Sequence, residues 1–198
     1  HSLVSIDFQA QEYRAMISYA KETIWADYII NGGDVHEYTA KLMGVKRKEA
    51  KTCNFGLLYG CGGAKLAAML GIPVEEGNAL KEKYFEALPK IKVFLKQVAN
   101  TANNRGFIVN WMGRVSRFKK IVMHDGEVLD LSYKAPNALI QGSSADITKV
   151  SMNRIHELLK DTKSSLTLSI HDEVVMNIHN DEAHLIKQIE DIMKESFP

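Results

Sequence analysis

Residues 166–178 read LTLSI-HDE-VVMNI, two alternating apolar runs separated by three ionisable residues. Alternation with period two marks half-buried strands, so the runs read as the arms of a β-hairpin. A second strand-like run covers residues 2–8, with Asp7 near its end, and the long interval between carries helical spacing instead. Strands therefore cluster near the ends of the chain and helices fill the middle. That order excludes βαβ alternation and specifies an α+β fold. The hairpin tip is chemically unusual. A two-residue turn normally carries Asn-Gly or Asp-Gly, whereas His171, Asp172 and Glu173 stand here. Two adjacent acids repel, so a lysine, an arginine or a metal ion is expected beside them.

Between the strands, apolar spacing predicts helices over residues 12–30, 35–43, 46–59, 64–70 and 74–104, the last kinked or divided at Pro89. Asn31-Gly32-Gly33 stops the first, Asp34 reads as the N-cap of the second, and Gly44 ends it. Residues 107–112 and 115–122 read as another hairpin around Gly113-Arg114. Further helices are expected over 133–160, with Pro136 in the first turn, and over 181–195.

The chain has 198 residues, a formal net charge of +1 and 45% hydrophobic residues. This suits one globular domain, or one with a large insertion. It excludes a wholly basic nucleic-acid coat, so any anion-binding surface must be local. Cys53 and Cys61 form no CxxC pair and read as buried or semi-buried free thiols of a reducing compartment, hence a cytoplasmic location. No run approaches the ~18 uncharged apolar residues of a membrane span. Both ends are abrupt, without a signal-peptide layout, which suggests a piece of a longer protein.

Three constellations carry candidate chemistry. Asp7 and Asp172 each stand at the edge of an apolar run, where a carboxylate is costly unless paired or metal-bound. On neighbouring strands they would suit Mg²⁺ or Mn²⁺, not Zn²⁺. The plainer reading is a strand-end acid and a turn acid that never meet.

Arg47, Lys51, Phe55 and Tyr59 recur every four residues and form one oblique helical stripe, cationic first and aromatic after. A nucleoside triphosphate has the same polarity, and the cations would bind phosphates near the positive end of the helix dipole. An ordinary amphipathic helix with inward-packed aromatics fits the spacing too. Gly56, costing roughly 1 kcal/mol against alanine in a helix, points to close approach of something beside it. Glu12 is either a helix-start acid or a site residue near Asp7, with Arg14 beyond. His36 reads as structural or as a ligand. Asn137 and Gln141 share a helical face and either read base edges or act as caps.

In order, SIDFQAQEYR, RKEAKTCNFGLLYG and SIHDEVV resemble motifs A, B and C of the family A DNA polymerases, the bacterial polymerase I group. The pattern R-x3-K-x3-F-G-x2-Y-G is intact from Arg47 to Gly60, and PNALIQGSSADI and GFIVNWMGR resemble intervening family segments. The wording of residues 133–148 leans towards viral or phage-type members.

This resemblance implies a partial right-hand fold: an antiparallel palm sheet with a mostly helical fingers insertion. Palm would be residues 1–34 and 106–198, fingers 35–105, with the thumb, any exonuclease and the last palm strands outside the chain. It implies template-directed DNA synthesis with two Mg²⁺ ions (Mn²⁺ as substitute) on Asp7 and Asp172, and Glu173 beside them. Arg47, Lys51 and His36 would hold the triphosphate, with Lys51 the proton donor to pyrophosphate. Phe55 would stack on the nucleotide, Tyr59 would guard the templating position, and Glu12 would exclude ribonucleotides. His171 would lie near the primer end, Asn137 and Gln141 would probe the minor groove, and Arg14 would join the DNA contacts. The implied partners are primer-template DNA and dNTPs, with the chain monomeric, no membrane, and an accessory factor left open.

Two departures stand out. Motif A more often reads D-Y-S-Q-I-E, whereas Phe8, Gln9, Ala10 and Gln11 occupy its middle here, and Tyr133 stands where bacterial members often carry arginine. The isolated chain is expected to polymerise weakly or not at all. The alternatives are a single-subunit phage-type RNA polymerase, opposed by Glu12 and Glu173, and a non-catalytic nucleic-acid-binding fragment, opposed by the intact Asp7, Asp172, Arg47 and Lys51.

Overall fold

The computed structural model describes residues 1–196; Phe197 and Pro198, which end the expected second palm segment, lie outside the described residues. Its backbone groups into two compact units, residues 1–12 with 141–198, and residues 13–140. The fold is α+β with small antiparallel sheets, as the strand distribution predicts.

In the first unit, β1 (Ser2–Asp7), β6 (Ser165–Ile170) and β7 (Glu173–Ile178) form one antiparallel sheet in the order β1-β7-β6. The central strand buries alternate residues: Val174, Met176 and Ile178 pack with Leu185, Ile189 and Met193 of α9 (Leu185–Glu195). Ile155 and Leu159, from the C-terminal part of α8 (Ala135–Leu159), complete this core, with Val4 and Ile6 of β1 against it. One sheet face is thus covered by helices. A strict period of two then sends Leu3, Ser5 and Asp7, and opposite them Asn177, Val175 and Glu173, to the other face.

The hairpin arms form as expected, with two corrections. Ile170 pairs with Glu173, so the loop is only His171-Asp172, as short as hairpin loops commonly get, although no Asn-Gly marks it. His171 supplies the turn by adopting φ 56°. Within β6, a bulge between Leu166 and Leu168 shifts the register. Leu166 stays against the core, while Leu168 and Ile170 turn to the face of Asp7 and Glu173 and are exposed. The last helix starts later than expected: Asn180–Glu182 is a 3-10 turn and α9 follows.

The second unit is mainly helical: α1 (Gln11–Ala20) leads into it, followed by α2 (Thr23–Ile30), α3 (Val35–Met43), α4 (Arg47–Leu58), α5 (Gly63–Leu70), α6 (Val74–Ala87) and α7 (Pro89–Arg105). Tyr13, Met16, Trp25, Met43, Leu57, Leu66, Tyr84, Leu88 and Ile91 lie in its core. The single helix expected over 12–30 is two. Lys21 takes φ 55°, and Glu22 N–H reaches back to the Ile17 carbonyl at 3.1 Å, a Schellman-type stop. Glycine usually fills that left-handed position, and lysine gave no signal. Pro89 divides the expected 74–104 helix, occupying the first turn of α7.

The expected 107–122 hairpin also resolves differently. Strand β2 (Phe107–Val109) pairs with β3 (Val115–Arg117), but β4 (Lys120–Val122) turns away to pair with β5 (Val128–Asp130). The second hairpin closes at Asp125-Gly126, where Gly126 has φ 85°. That Asp-Gly is a hairpin signal that the sequence reading passed over.

Gly56 is tightly packed, but by the protein itself. A Cβ there would lie 3.1 Å from Cys61 Sγ and 3.7 Å from Leu66. Both cysteines are buried and unbridged, as expected.

Candidate active site

The first group of site residues lies at the end of the β1-β7-β6 sheet. Asp7 ends β1 opposite Glu173, and Phe8 N–H donates to the Asp172 carbonyl at 3.2 Å. Strand pairing therefore sets the two acids at adjoining positions, which their separation in sequence left open. Asp7 is exposed and Asp172 half-buried, and neither side chain has a hydrogen bond or ion pair among the described residues. Glu173 is engaged differently, accepting from the Ser5 hydroxyl on the same sheet face.

No group of three or more potential ligands converges among the described residues. Two carboxylates are nonetheless a fitting protein share for Mg²⁺, which usually keeps several waters and takes one or two carboxylates plus substrate phosphates. An all-oxygen donor set with no ion-pair partner among the described residues fits a hard divalent cation.

Behind these strands, Ala10 takes φ 51° at the start of α1, and Gln11, 3% exposed, donates to Thr148 Oγ1 at 3.2 Å. That anchor holds the first turn of α1, where half-buried Glu12 stands. His171 is exposed at the hairpin tip, and Gln141 is exposed on α8.

The second group lies in the other unit, along α4. Arg47 and Lys51 are exposed, Phe55 is half-buried and Tyr59, the C-cap, is 40% exposed. Tyr59 is therefore not packed inward as the amphipathic alternative has it, whereas Phe55 is partly so. Their rings continue a line: His36 to Phe55 at 5.7 Å between centroids, Phe55 to Tyr59 at 6.4 Å. Asp34 caps α3 as expected, its Oδ1 accepting from His36 N–H at 2.7 Å and Glu37 N–H at 3.0 Å. Its Oδ2 also holds Arg47 Nη2 at 2.5 Å. Burial pushes the Asp34 carboxyl up, but the Arg47 hydrogen bond, the two N–H donors and the Arg47 charge outweigh it and hold it below its ordinary range. The same hydrogen bond and charge raise Arg47.

His36 is pushed the opposite way from a typical ion-paired histidine. Burial lowers it, Asp34 opposes, and the Arg47 and Lys51 charges lower it further. These effects together favour the neutral ring, with Asn54 Nδ2 at 2.9 Å from Nδ1. Elsewhere in this unit, Arg14 is half-buried and its guanidinium lowered by burial. Asn137 is half-buried with a buried Oδ1 that has no partner among the described residues, and Tyr133 is exposed.

Residues 1–198 match the sequence profile of DNA polymerase family A. The chain belongs to that family. It is similar to the thermostable DNA polymerase I of Thermus aquaticus, 28% identical over 207 residues, covering 99% of this chain and 25% of the relative. It is also similar to the DNA polymerase of Mycobacterium phage L5, 33% identical over 181 residues, covering 91% of this chain and 29% of the relative. Among solved structures it resembles the POL domain of Pol1 from M. smegmatis in complex with DNA primer-template and dNTP. That likeness has a TM-score of 0.87 at 25% identity, covering 100% of this chain and 37% of the other. This family A chain thus spans about a quarter of the length of the curated relatives it matches. Family A polymerases generally use divalent metals. No helix among the described residues is long and apolar enough to cross a membrane.

Sequence reasoning missed Asn54, Tyr13, Thr39 and the second role of Asp34. Asn54 directly precedes Phe55 on α4 and is fully buried. A polar residue on the inner face of a helix needs hydrogen-bond partners there, and that demand was its available signal.

Proposed function

We propose that this chain is the palm-and-fingers part of a template-directed DNA polymerase, transferring a nucleotidyl group from a dNTP to a primer 3′-hydroxyl. The 3′-oxygen forms a bond to the α-phosphorus and loses its proton. The bond from that phosphorus to the bridging oxygen breaks, and pyrophosphate leaves. Asp7 and Asp172 are the residues to hold two Mg²⁺ ions, which supply charge stabilisation for the entering and leaving oxygens. Glu173 supports that end of the sheet through Ser5. His171 is assigned to the primer end.

On α4, Arg47 and Lys51 neutralise the triphosphate, and Lys51 gives a proton to the departing pyrophosphate. His36 donates to a phosphate oxygen, Phe55 stacks on the nucleotide, and Tyr59 guards the templating position. Glu12 excludes a 2′-hydroxyl; Arg14, Asn137 and Gln141 contact primer-template DNA, the last two at minor-groove acceptors common to all correct pairs. The palm takes residues 1–34 and 106–198 and the fingers 35–105. The setting is the cytoplasm of a bacterial or virus-infected cell, with the chain monomeric.

The observation that supports this reading is the pairing of Asp7 with Glu173 and of Phe8 N–H with the Asp172 carbonyl, Asp7 and Asp172 both being without an ion-pair partner among the described residues. Calorimetric titration of the chain with dATP tests it. Binding should require Mg²⁺ and should be lost in both Asp172→Asn and Lys51→Ala. Metal-independent binding that survives Asp172→Asn would favour a non-catalytic nucleic-acid-binding module. In primer extension by the longer polymerase carrying this segment, Glu12→Ala should admit ribonucleotides; unchanged sugar selectivity would remove that role.

A further inference from the structure

Beneath the exposed stripe of α4, four elements contribute to one buried polar chain. The hydroxyls of Tyr84 on α6 and Tyr13 on α1 lie 2.6 Å apart. Tyr13 donates to Asn54 Oδ1 at 3.0 Å, and the Thr39 hydroxyl of α3 lies 3.0 Å from the same oxygen. Asn54 Nδ2 then meets His36 Nδ1 at 2.9 Å. Tyr13, Thr39, Asn54 and Tyr84 are each no more than 2% exposed. Burial raises both phenols well above their ordinary range, so they stay protonated and keep a proton to give. His36 Nε2, at the other end, has no hydrogen-bond partner among the described residues.

We propose that this buried chain sets the tautomer of His36, with Asn54 donating to Nδ1 so that the ring proton sits on Nε2 and is presented to a triphosphate oxygen. The proposal rests on the reading of the α4 stripe as a triphosphate site, and it makes Asn54 and Tyr13 positioning residues. The polarity runs one way. Tyr84 donates to Tyr13 and Tyr13 to Asn54 Oδ1, while the single Thr39 proton has both that oxygen, at 3.0 Å, and the Val35 carbonyl, at 2.9 Å, within reach. An amide oxygen accepts twice, and its NH₂ is left for the ring. The opposite tautomer would turn a bare nitrogen lone pair towards an anionic phosphate, which is repulsive. The charged groups facing the ring are Asp34 at the start of α3 and Arg47 and Lys51 on α4. The two cations and burial favour the neutral ring, for which the choice of tautomer matters. Because Asn54 immediately precedes Phe55 on α4, the aromatic platform and the histidine donor are fixed by one helical turn.

The test is a two-bond ¹H–¹⁵N correlation spectrum of the chain labelled at histidine, with His36 assigned by its loss in His36→Gln. At pH 7.5 the expected pattern is a protonated Nε2 and a bare Nδ1; a protonated Nδ1 overturns the proposal outright. Asn54→Asp should invert the pattern, since a carboxylate can only accept from Nδ1–H, and should move the His36 titration up by at least about one pH unit. Its affinity for dATP with Mg²⁺ should fall roughly tenfold, the scale of one charge-assisted hydrogen bond. An unchanged tautomer in Asn54→Asp counts against the relay. If that variant does not fold, Tyr13→Phe serves, with a mixture of tautomers expected and the wild-type spectrum undiluted. The two readings separate cleanly. A bare Nδ1 with dATP affinity unchanged in His36→Gln overturns the triphosphate role and leaves the relay. A protonated Nδ1 with dATP affinity dependent on His36 does the reverse.

Discussion

Asp34 holds two groups at once: its Oδ1 caps α3, and its Oδ2 lies 2.5 Å from Arg47 Nη2. The cation proposed to receive a triphosphate is therefore engaged by a carboxylate until the nucleotide displaces it. Asp34→Asn keeps a capping oxygen and releases Arg47. A solvent-exposed ion pair contributes little, so dATP affinity should rise modestly, with little change in stability. Asp34→Ala also loses the cap, and urea unfolding should show a loss of about 1 kcal/mol. Equal stability of the two variants would contradict the capping role.

Both perturbed groups beside α3 make the fold acid-sensitive. Asp34 is lowered in the folded chain, so its stabilisation is present above the ordinary carboxylate value of about 3.9 and is lost as pH falls through the lower folded value. His36 is lowered too, chiefly by burial. Below about pH 6.5 the unfolded chain takes that proton first, so stability falls with pH until the folded ring also protonates. Unfolding free energy followed from pH 8 to pH 3 should decline in both windows. His36→Gln should remove the decline just below pH 6.5 and leave the acidic one.

Helices α5 and α6 meet through Gly63 and Gly77. A Cβ on Gly77 would stand 2.5 Å from the Gly63 carbonyl oxygen and 2.9 Å from the Ala67 backbone nitrogen. Backbone cannot yield as a flexible side chain does. Gly77→Ala should therefore destabilise by about 1–3 kcal/mol through overpacking, despite the roughly 1 kcal/mol that alanine contributes to an isolated helix. A thermal unfolding midpoint at or above that of the wild type would refute the close approach.

At the hairpin tip, His171 holds φ 56°, a region costing a residue with a Cβ about 1–2 kcal/mol. Glycine is at ease there. His171→Gly should leave stability unchanged or raise it by up to about 1 kcal/mol. The same change should lower primer extension, since the imidazole is the group proposed for the primer end. A variant both less stable and fully active would reverse both statements.

The sequence by itself determined what short-range physics can encode. Period-two runs located both arms of the 166–178 hairpin, glycine and proline marked most helix ends, and Asp34 announced its cap. Arg47, Lys51, Phe55 and Tyr59 kept their order because a helix carries four-residue spacing directly into space. Turn chemistry was legible only where the residue fitted its rule. Lys21 and His171 take left-handed backbone without the glycine that would have signalled it, so a helix break and a two-residue loop went unread. Tertiary structure alone decided the rest. The pairing of Asp7 with Glu173 and the Tyr13–Tyr84 contact join residues far apart in the chain, and the bulge that turns Leu168 outward is set by its partner strand. Strand register and buried hydrogen-bond partners are properties of pairs, settled by which groups must be satisfied once water is excluded. No local pattern around either partner encodes that choice.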